Sequence, residues 1–372
     1  MNFVIKNNRK LRTGMTTGTC AAAAAQAAAL LLLSGESRRS VTVTNNQGIS
    51  LTVALSEIKR NENTATCSVV KDAGDDPDVT GGIEIIVTVS KIESGIIIDG
   101  GEGIGRVTKP GLKIPVGHAA INPVPRQMIE REVLDICRQT GYHGGLCVLV
   151  SVPKGKEIAK KTMNERLGIV SGISILGTTG IVEPMSEKAL IDTIKTEIDM
   201  YVFGGKKTLL LTPGNYGREF VQNILGLDIR QAIKCSNYIG EVLDYALLIG
   251  IENVTLVGHA GKLVKLAGGI MNTHSGVADC RMEIIAAHSA IWGVPSNVIR
   301  EIMNCVTVEA AIAHIRHYPF QKKIWESIGQ QIAFHLNART KGKLPIQFIV
   351  FTQEEGILIN SNTNSYTRNH DQ

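Results

Sequence analysis

The sequence predicts two domains: an N-terminal α+β domain, then an α/β domain with a mainly parallel sheet. Three observations carry this. A chain of 372 residues, 44% hydrophobic and 20% charged, is long enough for two cores and too apolar for wholesale disorder. Its first part sets one apolar helix ahead of a series of β-branched runs. Its second part alternates apolar strand-like runs with helical patterns, the alphabet of a parallel sheet.

In chain order, the hydroxyls of residues 16–20 offer N-caps to an Ala/Leu run that Gly35 ends. Gln26 interrupts that run and 21–33 falls short of the roughly 20 residues a bilayer span needs, so a buried helix is expected. Strands follow at 41–44, 49–55, 64–70, 83–89 and 96–98. A proline-rich connection over 109–125 leads to a helix at 126–140 stopped by Gly141. The domain boundaries expected are 1–145 for the α+β domain, 146–340 for the α/β domain and 341–372 for a C-terminal hairpin and tail. In the second domain come LCVLVSV, ISIL and a helix capped by Ser186 with an apolar face of Leu190, Ile191, Ile194, Ile198 and Tyr201. TLLLT, a helix from Arg218, a helix near Tyr238, NVTLV and further helices through Arg339 complete it. IQFIVF and GILI form the hairpin, with either domain open as its support.

The net charge is +5, scattered rather than clustered, and aromatics are only 4%. That fits a polyanionic small molecule better than a duplex or a base-stacking surface, and neither nucleic acid nor a membrane is expected as a partner. An assembly of identical chains is left open. Seven cysteines form no CxxC pair, which disfavours a zinc ribbon or disulfide scaffold and fits reduced, cytoplasmic thiols.

Three apolar runs each end in a glycine loop: Gly177-Thr178-Thr179-Gly180, Pro213-Gly214-Asn215-Tyr216-Gly217 and Gly258-His259-Ala260-Gly261-Lys262. Glycine at strand ends admits close backbone approach, and ligands of open parallel sheets sit there. A phosphate-binding loop is disfavoured because Leu263 follows Gly261-Lys262 and the spacing from Gly258 is short. Asp99-Gly100-Gly101-Glu102-Gly103-Ile104-Gly105 reads DxGxGxG, a pattern that many Rossmann methyltransferases carry after their first strand, but proline-rich chain follows where a helix is required, so it reads as a substrate-facing loop. The acidic run 71–78 reads by default as a solvated turn with a divalent-cation site as the alternative, and no metal site is expected. His259 and His274 lie on glycine-adjacent loops, where a general base would be wanted. Thr16, Thr17, Thr19 and Cys20 either clasp a carboxylate or only cap their helix.

With these segments in view, the chain resembles the CbiD family of cobalt-precorrin-5B C(1)-methyltransferases. The resemblance runs through RTGMTTGTCAAAAAQAA, KDAGDDPDVTGG, GGEGIGRVTKPGL, INPVPRQMI, KKTMNERLGIVSGISILGTTGIVEPMS, GNYG, KCSNYIGE and GHAGKLVKLAGGIMNTHS, most of 12–281. One departure is visible: the family's Gly-Glu-Pro is Gly117-His118-Ala119 here. The resemblance implies methyl transfer from S-adenosylmethionine to C-1 of a cobalt-bound tetrapyrrole, and a Rossmann-like second domain. It also implies candidates. The donor is expected on Gly177, Thr178, Thr179, Gly180, Gly214, Asn215, Gly217 and Gly258. His259 and His274 are the catalytic candidates. Arg12, Thr16, Thr17, Asp75, Asp76, Lys109, Arg126, Arg166 and Lys262, with Arg218 beside them, are assigned to a substrate between the domains. Readings from other classes are an NAD(P)-dependent oxidoreductase and a non-catalytic tetrapyrrole carrier.

Overall fold

The computed structural model describes residues 3–6, 8–223 and 231–362. It divides into two compact units, Met1–Glu187 and Lys188–Gln372.

The first unit is built around the helix Thr17–Ser34. Thr16 caps it by accepting the Thr19 amide, and Gly35 closes it in the left-handed conformation, φ 77°, returning its N–H to Leu31 O. Only Gln26, Leu33 and Ser34 escape burial, so an all-round apolar helix becomes the core, as its composition requires. The helix packs on Pro123–Thr140, which starts on prolines rather than at Arg126 and ends at Gly141. It also packs on the inward face of a five-stranded sheet, where Ala65, Cys67 and Val69 of one strand and Ile85, Val87 and Val89 of the next alternate inward. The strand order is Ile58–Arg60, Thr64–Val70, Glu84–Ile92, Gly145–Ser151, Ile96–Gly100. The strands 41–44 and 49–55 form a separate hairpin, Ser40–Thr44 with Ser50–Ala54.

The division therefore falls after Glu187 and not at 145/146. LCVLVSV pairs antiparallel with Glu84–Ile92 and parallel with Ile96–Gly100, inside the first sheet. ISIL is no sheet strand, since Ile173 and Ile175 make only isolated bridges to Ile104 and Ile121. The 99–105 loop has a packing explanation. A Cβ on Gly103 would fall 1.8 Å from Val152 O, one on Gly155 2.1 Å from Gly103 O and one on Gly172 2.3 Å from the same oxygen. Three backbones cross there, so its glycines answer to one another.

The second unit carries a sheet ordered Ala232–Lys234, Thr208–Thr212, Asn253–His259, Ile346–Thr352, Gly356–Asn360. The first four strands are parallel and the last is antiparallel. IQFIVF and GILI thus extend this sheet, so the hairpin is part of the second unit, and 363–372 lie outside the described residues. Alternate side chains divide between faces. Leu209, Leu211, Val254 and Leu256 join the large core with Ile239, Val242 and Leu243 of the helix Ile239–Leu248 and with the helices of 281–340. Leu210, Val257, Ile349 and Phe351 join Phe220 of the helix Asn215–Asn223 on the other face. In Glu187–Phe203, Ile194 and Ile198 are buried, whereas Leu190 is exposed, a narrower face than its periodicity implied.

Candidate functional site

The chain enters the parallel sheet at Thr208–Thr212, steps to one side for Ala232–Lys234, then crosses back to the other side for Asn253–His259. The helices on these two connections lie on opposite faces. Loops leaving neighbouring strands to opposite faces part at their carboxyl ends and leave a crevice, the general ligand position of open α/β sheets. Here that position falls between 213–217 and 258–262.

Its residues are cross-linked. Lys262 Nζ donates to Pro213 O at 3.1 Å and to Asn237 Oδ1 at 2.7 Å. Thr273 fixes Asn237, its hydroxyl donating to Asn237 Oδ1 at 3.2 Å and its amide to Asn237 O at 2.9 Å. Lys234 Nζ reaches Asn215 Oδ1 at 2.9 Å. Burial lowers the Lys262 pKa; it also lowers that of Lys265, against Asp279, while Lys265 Nζ donates to Thr273 O and Ala278 O. Cys235 is fully buried, its thiol pushed up to about 12. The Thr212 hydroxyl is buried with no hydrogen-bond partner among the described residues. Gly214 differs from the other loop glycines. A Cβ there would meet nothing within 4 Å, and its φ is not in the left-handed region, so no contact within the described fold demands a glycine.

His259 is held on both ring nitrogens. Nδ1 accepts the Gly261 amide at 3.2 Å, and Nε2 donates to Glu309 Oε1 at 3.0 Å. Phe351 meets its ring edge-on and Tyr216 lies 6.0 Å away. Neither nitrogen has a free lone pair, so the arrangement positions the loop and offers no proton acceptor. His274 is exposed, its Nδ1 accepting the Gly276 amide. Gly258 is fitted beneath Leu263, whose Cγ would lie 2.9 Å from an added Cβ. Gly217 lies in Asn215–Asn223, and the Arg218 side chain lies outside the described residues.

The loop 177–180 lies instead in the first unit. Thr16 N and the Thr19 hydroxyl both donate to Gly180 O, Gly18 N donates to Leu176 O and Asn45 Nδ2 donates to Thr179 O. Gly177 has φ 139°, and a Cβ there would fall 2.3 Å from Thr16 Oγ1. This loop is a brace for the helix N-terminus and no strand-end loop of the parallel sheet; only Thr178 is exposed. Thr16 and Thr17 are equally committed. Thr17 Oγ1 donates to Leu176 O and accepts its amide, both residues are buried, and the reading of them as carboxylate clasps gives way to capping.

The carboxylates of the acidic run are tied to neighbouring segments, with Asp75 itself exposed. Arg12 forks onto both Asp72 oxygens, Asp75 accepts the Arg12 amide, Asp76 accepts the Met185 amide, and buried Lys71 donates to Asp78 at 2.7 Å. Arg12 and Asp75 thus tie their two segments together and Asp76 holds Met185, and no group of three or more metal-ligating side chains occurs among the described residues. Of the remaining cations, Lys109 is exposed beside Gly168, Arg126 Nη1 donates to Ile98 O at 2.8 Å, and Arg166 is exposed. Sequence reading missed Thr212, Asn237, Thr273 and Glu309. Asn237 and Thr273 lie inside KCSNYIGE and GHAGKLVKLAGGIMNTHS, but no residue type among the four announces chemistry alone.

Comparison with known proteins agrees with the motif strings. The CbiD family model matches residues 4–184, and the model of the CbiD C-terminal domain matches 272–362. The chain belongs to the CbiD family. It is 51% identical over 94% of its length to the cobalt-precorrin-5B C(1)-methyltransferase of Ruminiclostridium cellulolyticum, covering 91% of that protein. The enzyme of the same name from Alkaliphilus metalliredigens is 43% identical, over 96% of this chain and 94% of the relative. A solved structure of a CbiD cobalamin biosynthesis protein from Archaeoglobus fulgidus is 29% identical, covering 75% of this chain and 87% of that one, with a TM-score of 0.40. All seven cysteines are free thiols, and among the described residues the one helix long and apolar enough to cross a membrane, Thr17–Ser34, is the buried core helix.

Proposed function

We infer that this CbiD-family chain is a cobalt-precorrin-5B C(1)-methyltransferase of cobalamin biosynthesis, drawing its methyl group from S-adenosylmethionine on a Rossmann-like second unit in the cytoplasm. The named relatives support the reaction and its cobalt-containing tetrapyrrole substrate. The observation carrying the donor site is Gly214: at the strand reversal, next to the Pro213 carbonyl that Lys262 binds, one glycine is unexplained by any contact among the described residues. Close approach of a ligand to that backbone supplies the missing reason.

When bound, the donor supplies an electrophilic methyl on a sulfonium, and the electron-rich macrocycle supplies the attacking carbon. The protein's task is then to align carbon, methyl and sulfur and to exclude water. No covalent nucleophile is required. His259 serves here by fixing the 258–262 loop between Glu309 and Gly261, and by packing against Phe351. Asn215 and Gly258 border the same crevice. For the anionic arms of the substrate, Lys109, Arg126 and Arg166 are the cations retained from the sequence assignment.

The test begins with thermal unfolding in S-adenosylhomocysteine, NAD, NADP and ATP. A ligand at 100 times its Kd raises stability by about 2.7 kcal/mol. A shift with the adenosyl-sulfur ligand, followed by transfer of labelled methyl to cobalt-precorrin-5B, is the expected result. A shift with a nicotinamide alone would overturn the methyltransferase reading in favour of an oxidoreductase, and absence of methyl transfer with tetrapyrrole binding intact would favour a carrier.

A further inference from the structure

We propose that Lys262 receives the carboxylate of the donor's methionyl portion, so that it governs affinity for the donor and not for the macrocycle. This deepens, and rests on, the adenosyl-donor reading, and it moves Lys262 from the substrate arms to the cofactor.

The placement argues for it. Lys262 follows the strand Asn253–His259, and its ammonium spans to Pro213 O beyond the neighbouring strand and to Asn237 beyond the next. It therefore lies across the end of the middle strand, at the crevice itself. Two of its three N–H bonds are used on neutral oxygens, and no carboxylate among the described residues pairs with it. Of the acidic groups near this end, Glu309 pairs with His259, Asp279 pairs with Arg281 and Lys265, and half-buried Glu241 acts on Arg339. Lys234 adds a second positive charge. A half-buried ammonium without a counter-ion is costly, and a ligand carboxylate on its third N–H relieves that cost with a charge-assisted bond. Asn237, held by Thr273, sets the direction of that N–H in advance. Buried Thr212, with its unpartnered hydroxyl, ends the middle strand beneath. A narrow ligand carrying one carboxylate suits such a position better than a broad ring with many arms, for which exposed cations are the accessible partners.

The experiment compares S-adenosylhomocysteine with 5′-methylthioadenosine, which keeps the adenosine and thioether but lacks the amino-acid end, by calorimetry on wild type, Lys262→Met and Lys262→Arg. The expected result is about a tenfold or larger loss for S-adenosylhomocysteine in Lys262→Met, methylthioadenosine unchanged within about twofold, and partial recovery in Lys262→Arg. Turnover should show a raised donor KM with the tetrapyrrole KM unchanged. Equal loss of both ligands, or a raised tetrapyrrole KM alone, would overturn the proposal. If wild type binds S-adenosylhomocysteine and Lys262→Met binds it equally well, the proposal fails while the donor reading stands; if wild type binds neither ligand, the donor reading itself fails. Should Lys262→Met not fold, decarboxylated S-adenosylhomocysteine on the wild-type protein makes the same comparison: binding within twofold of the parent compound refutes the proposal.

Discussion

Gly177 and Gly214 end similar sequence patterns, yet replacing each by Ala should have opposite consequences. At Gly177 the backbone sits at φ 139°, a region nearly closed to side chains, which costs about 1–3 kcal/mol. The new Cβ would also lie 2.3 Å from Oγ1 and 2.4 Å from Cβ of Thr16. Thr16 cannot swing aside without surrendering its cap on the Thr19 amide, so overpacking adds about another 1–3 kcal/mol. A total near 4 kcal/mol corresponds to a fall in Tm of roughly 10 °C for a unit of this size. At Gly214 a Cβ meets nothing within 4 Å, so stability should stay within about 1 kcal/mol of wild type while S-adenosylhomocysteine affinity falls about tenfold or more. Denaturant unfolding followed by calorimetry reads both quantities. Wild-type ligand affinity in Gly214→Ala, or loss of less than 1 kcal/mol in Gly177→Ala, would refute the reasoning that separates a packing glycine from a ligand glycine.

Asp78→Asn should cost about 3 kcal/mol, because it leaves the ammonium of Lys71, whose side chain is 1% exposed, without its counter-ion. Burial pushes the Asp78 carboxyl up, but bonds from Lys71 and Thr80 outweigh it and hold it below its usual value. Its stabilisation is therefore complete above about pH 4 and should disappear as pH falls through the depressed folded value, which acid titration of wild type against Asp78→Asn would measure. Cys20 and Cys235, both pushed up to about 12 by burial, should resist iodoacetamide in the native protein while exposed Cys280 reacts, and mass spectrometry that finds Cys235 alkylated first would contradict the buried placement. His259→Gln should retain turnover within about tenfold, with no limb lost from the pH profile; a loss of a thousandfold together with that limb would make His259 a proton acceptor after all.

Local chemistry was legible wherever it is self-contained. Thr16 and Gly35 bracket the core helix because a cap hydroxyl and a left-handed glycine act within a few residues of themselves. The β-branched runs at 64–70 and 83–89 foretold strands, and the long motif strings foretold the family. The strand-end loops 213–217 and 258–262 were also readable, since apolar runs followed by glycine announce both a strand and its exit.

What tertiary structure alone decided concerns partners distant in sequence. LCVLVSV carries no mark of which sheet it joins; pairing with Glu84–Ile92 put it in the first unit and moved the division to Glu187. Asp75, Asp76, Arg12, Thr16 and Thr17 are residue types that bind ligands or close loops equally well, and only the arrival of residues 176–185 and 72–78 beside them supplies the hydrogen-bond partners they have in the fold. The same holds for glycine. A sequence records that a side chain is missing, but the reason is the atom that would have stood opposite: Thr16 for Gly177, Val152 for Gly103, and nothing within 4 Å for Gly214.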